Sequence, residues 1–113
     1  MSFYKMRLAT SPFKKIASGE KTIEARLYDE KRQKLSVGDQ IEFTCIEDSS
    51  KKTTTRIRAL YRYSSFKDLF SDFSPDLFGA KSKKELIEEI ETFYSKDAQK
   101  NYGVIGIKLD LIK

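Results

Sequence analysis

Five segments of the chain alternate apolar with polar residues, which is the period of a β-strand that buries one face. This alternation predicts strands at residues 3–8, 21–27, 41–47, 53–64 and 102–111. In the second segment, Ile23, Ala25 and Leu27 share the face that we expect to be buried. The opposite face carries Glu24 and Arg26, so an acid and a base lie two residues apart on it. An ordinary strand surface does not need that much polar chemistry.

Helix-start signals interrupt the strands, each with a hydroxyl residue at the expected N-cap. The first predicted helix begins near Thr10 and ends at Gly19, and its outward face carries Lys14 and Lys15. A second helix is predicted to begin after Ser65. These helices are short, and they lie between strands in the sequence.

A third helix is predicted over residues 82–93, because Ser82 and Glu85 have the spacing of a capping box. Its apolar positions, ending with Phe93, are expected to face the core. Its acidic positions, including Glu89, are expected to form a solvated outer face.

Five strands joined by short turns and interspersed helices predict an α+β fold, a partly open β-barrel with mainly antiparallel pairing. A chain of 113 residues is expected to form one domain over residues 1–113.

Gly19, Lys21, Glu24 and Arg26 follow the spacing G-x-K-x-x-E-x-R. This spacing resembles the signature of the ASCH domain, a family related to the PUA RNA-binding barrels. Residues 11–18, 37–43 and 102–107 resemble further family segments in the same order along the chain. The resemblance implies a PUA-like barrel with three to four short helices covering one mouth.

The sequence contains no histidine and one cysteine, Cys45. The usual zinc sites and the Ser-His-Asp and Cys-His mechanisms are therefore excluded. Proton transfer would have to use lysine, a carboxylate, tyrosine or water. Since no spaced carboxylate loop indicates a hard metal ion, we expect no metal and no cofactor.

Cys45 alternates with apolar residues in a predicted strand, and we interpret it as a small buried hydrophobe. One cysteine fits a reducing compartment. No apolar run approaches the roughly 18 residues of a membrane helix, and no secretory leader is visible. We therefore expect a cytoplasmic protein that does not contact membranes.

Lys21, Glu24 and Arg26 allow two interpretations. They can form a solvated strand surface with a weak salt bridge, or they can line a cleft in which their charges bind or react. The resemblance favours the cleft. Tyr102, at the start of the last predicted strand, is a candidate to stack on a base there or to donate its hydroxyl, the alternative being a strand-end packing residue.

Similarity to ASCH proteins implies two possible activities. One group hydrolyses acetylated cytidine with a lysine that corresponds to Lys21, a threonine at the position of Glu24 and a second acid near the position of Gly79. Glu24 and Gly79 depart from that pattern, so that mechanism does not transfer directly. Another group is associated with RNA cleavage, for which Glu24 as base and Lys21 with Arg26 as cations could serve without a metal.

Arginines recur in the fourth predicted strand, where Arg56, Arg58 and Arg62 are expected to share one face. With Lys14, Lys15 and the net charge of +5, they form a candidate nucleic-acid surface. The alternative is an edge strand that its charges protect from aggregation.

The leading hypothesis is a protein that binds RNA or a modified nucleoside or nucleotide in a polar cleft formed by Lys21, Glu24, Arg26 and Tyr102. A second hypothesis is a metal-independent hydrolase that uses Lys21 and Glu24 as catalytic residues. A third is a protein-interaction module without a small ligand, whose partner the sequence does not identify.

Overall fold

In the computed structural model, which describes residues 1–112, five strands form one curled sheet in the order β1-β3-β4-β5-β2. The strands are β1 (Phe3–Leu8), β2 (Ile23–Leu27), β3 (Gln40–Cys45), β4 (Lys52–Tyr63) and β5 (Val104–Ile112). β1 pairs with β3 in parallel, and the other three pairings are antiparallel. The predicted α+β half-barrel with mainly antiparallel strands is confirmed. The predicted single domain includes Lys113, which lies outside the described residues.

Four α-helices are present in residues 1–112, within the predicted number. They are α1 (Thr10–Ala17), α2 (Phe66–Asp72), α3 (Lys83–Ile90) and α4 (Lys96–Tyr102). The N-cap prediction is confirmed at α2 and α3, where Ser65 and Ser82 accept hydrogen bonds from the backbone of Asp68 and Glu85. Short 3₁₀ turns at Arg32–Lys34 and Pro75–Phe78 complete the elements. Helix α4 was not predicted, and its last residue, Tyr102, had been assigned to the start of the last strand.

Two apolar clusters stabilise the sheet. One packs α1, through Phe13 and Ile16, against β3, β4 and β5. The other packs α2 and α3 against β2 and the start of β5, with Phe66 and Leu69 fully buried. Burial of this much apolar side-chain surface is the main term that favours folding.

A glycine on β5 allows the second cluster to pack closely. A Cβ atom at Gly106 would lie 2.9 Å from Cδ1 of Leu69, which is closer than real side-chain contacts. The missing side chain therefore lets α2 lie directly on the sheet beside β2. This packing fixes the position of the α2 residue Phe70, which lines the pocket described below.

A β-bulge changes the face on which β4 presents its arginines. Arg58 has no residue directly opposite it on β5, because the register shifts between Ile57 and Ala59. As a result Arg56 lies opposite Asp110, whereas Arg62 lies opposite the core residue Ile105 on the other face. The prediction that the three arginines share one face is wrong, since a strict alternation assumes a regular strand.

Candidate functional site

A pocket with a volume of about 330 Å³ opens at the start of β2. Its walls come from the end of β1, from α1, from the turn around Gly79, and from α3 with the residues after it. Lys21, Glu24 and Arg26 all line this cavity. We call these three residues the triad and the cavity the triad pocket. The three ionisable groups therefore share one hollow, as the cleft interpretation expected.

The carboxylate of Glu24 lies between two cations. Nζ of Lys21 is 3.0 Å from Oε1 of Glu24, and Nε of Arg26 is 2.7 Å from Oε2. Only 4% of Glu24 is exposed to solvent. Because a buried charge without partners would be costly, the pair of cations is what allows an ionised carboxylate to stay at this depth.

The charges of the triad are reflected in its pKa values. Burial alone would raise the pKa of the Glu24 carboxyl, but the nearby Lys21 and Arg26 charges outweigh burial and lower the pKa from 4.5 to about 2. Burial also disfavours the charged form of Arg26, yet Glu24 and Tyr94 raise the pKa of its guanidinium above the usual value. At neutral pH Glu24 is therefore a carboxylate that is hard to protonate.

Strand geometry places the triad. Glu24 and Arg26 are two residues apart on β2, so both side chains leave the same face, while Ile23 and Leu27 of the opposite face join the second apolar cluster. Lys21 lies just before the strand, and its backbone N–H donates to the carbonyl of Lys15 in α1 at 2.9 Å. This bond fixes the backbone of Lys21 between α1 and β2, and from there its side chain reaches Glu24.

Arg26 also connects the two edges of the sheet. Its terminal nitrogen donates a hydrogen bond of 3.1 Å to the backbone carbonyl of Arg7. Arg7 belongs to β1 and Arg26 to β2, which are the first and last strands in the sheet order. The guanidinium thus bridges the open side of the half-barrel directly at the pocket.

Lys15 takes a position that the sequence pattern did not predict. It was expected to point outward with Lys14, but it is half-buried, lines the triad pocket and donates from Nζ to the carbonyl of Gly79 at 2.6 Å. Lys14 remains exposed, as expected. The difference arises because the turn around Gly79 packs over this end of α1 and offers a backbone acceptor.

The family model of the ASCH domain matches residues 6–113 of the sequence. This chain belongs to the ASCH domain family. The match covers the triad and all four walls of its pocket. No curated protein matches the sequence.

Solved structures show the same fold. The hypothetical protein PH0355 is 32% identical to this chain, with a TM-score of 0.86, and the match covers 97% of this chain and 99% of that one. Protein PF0455 from Pyrococcus furiosus is 31% identical, with a TM-score of 0.78 and 98% of each chain covered. The ASCH protein from Zymomonas mobilis is 15% identical, with a TM-score of 0.68 over 94% of this chain and 65% of that one. At 15% identity the likeness shows the fold alone.

The aromatic residues that line the triad pocket of this ASCH domain are not the one that was predicted. Tyr102 does not line the triad pocket; it ends α4 and is 49% exposed. Its proposed place in the cleft is therefore wrong, because residues 96–102 form a helix and the last strand starts only at Val104. Tyr94 and Phe93, which follow α3, line the pocket instead.

Helix α3 ends earlier than predicted, and two residues, Glu89 in its last turn and Phe93 just after it, line the pocket. Phe93, predicted to be in the core, is 70% exposed because α3 ends at Ile90. Glu89, assigned to a solvated outer face, is exposed but also lines the pocket. No local signal marked Phe93 as exposed, since it lies seven residues after Leu86 and three after Ile90, the spacing that continues a helical face.

The arginines of β4 have separate partners outside the triad pocket. Arg56 donates to the carbonyl of Gly38, Arg58 pairs with Asp110 at 3.1 Å, and Arg62 lies over the ring of Tyr28 at 4.2 Å. Their dispersal breaks the continuous stripe that a nucleic-acid backbone would follow. The nucleic-acid role of this strand stays a prediction.

Residues 1–112 contain no group of three or more acidic or cysteine side chains placed to hold a metal ion. Within the same residues, no helix has the length and apolar character needed to cross a bilayer.

Proposed function

We propose that this ASCH domain binds RNA, or a nucleoside or nucleotide, in the triad pocket. The observation that carries the proposal is the combination, in one cavity, of a buried charged group and an exposed aromatic ring. Glu24 with its two cations lies at the deep end, and Phe93 lies at the exposed end. A cavity of about 330 Å³ falls in the range of small-molecule sites.

The triad supplies hydrogen-bond donors to such a ligand. An ammonium group has three N–H donors, and Lys21 uses one of them on Glu24. Arg26 uses Nε on Glu24 and one terminal nitrogen on Arg7, which leaves further N–H groups for a ligand oxygen. Both oxygens of Glu24 are already bonded, so its main contribution is to hold the two cations in place. The acceptors that fit are carbonyl oxygens of a base, or phosphate oxygens.

Phe93 and Tyr94 supply the apolar contact that a base requires. Phe93 is largely exposed at the pocket, and an exposed ring beside charged groups is a typical platform for a nucleobase. Stacking of this kind contributes about 1–3 kcal/mol for each base.

Hydrolysis with Glu24 as general base is supported less well. A general base works best when its pKa is near the working pH, whereas the pKa of Glu24 is lowered to about 2. The carboxylate is also bonded on both oxygens. Binding therefore explains the geometry better than proton abstraction does.

The free, buried Cys45 fits action in the reducing cytoplasm.

The test compares Phe93→Ala with Phe3→Ala by isothermal titration against the four ribonucleosides, their monophosphates and a short single-stranded RNA. Both phenylalanines are largely exposed, and Phe3 is not part of the pocket, so both variants should keep the fold. We expect Phe93→Ala to weaken binding by about tenfold or more. Phe3→Ala should bind as the unmodified protein does. Equal binding by both variants, or no binding of any of these compounds, would contradict the proposal.

A further inference from the structure

We infer that the triad pocket is selective for a nucleotide over a neutral nucleoside and that the Lys15 ammonium binds its phosphate. The inference rests on the proposed function, because it names the class of ligand for the same pocket. The chemistry in question is a phosphate attached to a nucleoside, whether it comes from a free nucleotide or from an RNA chain.

The charges around the pocket are unbalanced. Four basic side chains line it, and two acidic ones do: Arg7, Lys15, Lys21 and Arg26 against Glu24 and Glu89. Glu24 is shared by two of the cations. Among residues 1–112, no carboxylate lies within 4.0 Å of the Lys15 ammonium, whose bond to protein is to the neutral carbonyl of Gly79.

This imbalance distinguishes the two classes of ligand. A neutral nucleoside that filled the pocket would remove water from the half-buried Lys15 without supplying an opposite charge, which is unfavourable. A phosphate group would supply that charge and accept hydrogen bonds from the ammonium. The remaining N–H groups of Lys15 are free for this purpose, since one of three donates to Gly79.

Gly79 positions Lys15 next to Lys21. A Cβ atom on Gly79 would lie 2.9 Å from Cδ of Lys15 and 3.3 Å from Cβ of Lys21, so both lysine side chains pass close to this glycine. The turn itself supplies no donor, because the N–H groups of Gly79 and Ala80 already bind the carbonyls of Asp76 and Pro75. The phosphate would therefore be held by side-chain cations and not by a backbone loop.

The experiment measures a ratio of affinities by isothermal titration. Each ribonucleoside is compared with its 5′-monophosphate, and a dinucleoside monophosphate provides the phosphodiester of an RNA chain. Titrations use the unmodified chain, Lys15→Gln and the matched control Lys14→Gln, whose lysine is the exposed neighbour on the same helix. Circular dichroism checks that both variants are folded.

We expect the unmodified chain to bind the preferred monophosphate about tenfold or more tightly than its nucleoside, as one charge-assisted contact provides. Lys15→Gln should bring this ratio close to one, and Lys14→Gln should keep it. If the dinucleoside monophosphate also binds about tenfold more tightly than the nucleoside, the inference is supported with an RNA chain as the source of the phosphate. If only the 5′-monophosphate binds more tightly, the inference is supported with a free nucleotide as the source.

Three results would overturn the inference. If the unmodified chain binds the nucleoside and its monophosphate about equally well, the phosphate preference is wrong and the proposed function still stands. This comparison uses the unmodified chain alone, so it does not depend on whether a variant folds. An unchanged ratio in folded Lys15→Gln removes the role of Lys15. Failure of all compounds to bind would overturn the proposed function itself and the inference with it.

Discussion

Arg26 donates one hydrogen bond to the carboxylate of Glu24 and another to the backbone carbonyl of Arg7. One guanidinium therefore both holds the charged group of the site and links the two edges of the half-barrel. Arg7 and Arg26 lie on the two edge strands of the sheet. Backbone groups at a sheet edge lack strand partners, and here a side chain satisfies one of them. Substitutions at Arg26 are therefore expected to affect stability and binding together.

Replacement of Arg26 by methionine should lower the free energy of unfolding by about 3 kcal/mol, because it removes one partner of a buried ion pair. Urea denaturation at pH 7 measures the change. Arg58→Met is the matched control, since Arg58 pairs with Asp110 while 63% of its side chain is exposed. Such a surface pair should contribute less than about 1 kcal/mol. Equal losses in the two variants would contradict the structural role assigned to Arg26.

The stability of the protein should depend on pH through Glu24. The pKa of its carboxyl falls from 4.5 to about 2 on folding, so the folded state favours the ionised form. The resulting stabilisation, on the order of 3 kcal/mol, is complete above about pH 5 and is lost as the pH falls from about 4.5 towards 2.

Urea denaturation of the unmodified chain and of Glu24→Gln, from pH 7 to pH 3, isolates this contribution. Glutamine cannot ionise, so the difference between the two proteins should be largest at neutral pH and should shrink below about pH 4.5. A difference that stays constant over this range would show that the charge of Glu24 does not stabilise the fold.

Gly79→Ala should disturb the pocket, whereas Gly19→Ala should affect only the backbone. Both glycines have positive φ, 79° and 84°, so each alanine should cost about 1 kcal/mol of stability. Only at Gly79 does the new Cβ meet side chains, those of Lys15 and Lys21, since nothing lies within 4 Å at Gly19. Titration with the preferred nucleotide should therefore show weaker binding for Gly79→Ala alone. Equal binding by both variants would exclude a role for close packing at Gly79.

Much of the fold follows from local patterns in the sequence. The alternation in β1, β3 and β2 requires no long-range information, because one buried face imposes a period of two. The N-caps Ser65 and Ser82 likewise mark helices whose first turns need a local acceptor. The placement of Glu24 and Arg26 on one face of β2 follows from the same period.

The remaining features depend on tertiary contacts that no local pattern encodes. The bulge at Arg58 shifts β4 by one residue and separates Arg56 from Arg62. Lys15 turns inward because a carbonyl 64 residues away lies within reach. Phe93 is exposed because α3 ends before it, and periodicity locates the ends of helices poorly.

The most direct test of the central claim maps the ligand onto the protein by NMR. Amide chemical shifts of the ¹⁵N-labelled chain are followed during titration with the ribonucleotide that binds best. We predict that the large shifts occur at Lys15, Lys21, Glu24, Arg26 and Phe93, around the triad pocket. Shifts confined to Arg56, Arg58 and their neighbours on β4, or no shifts at all, would contradict the account.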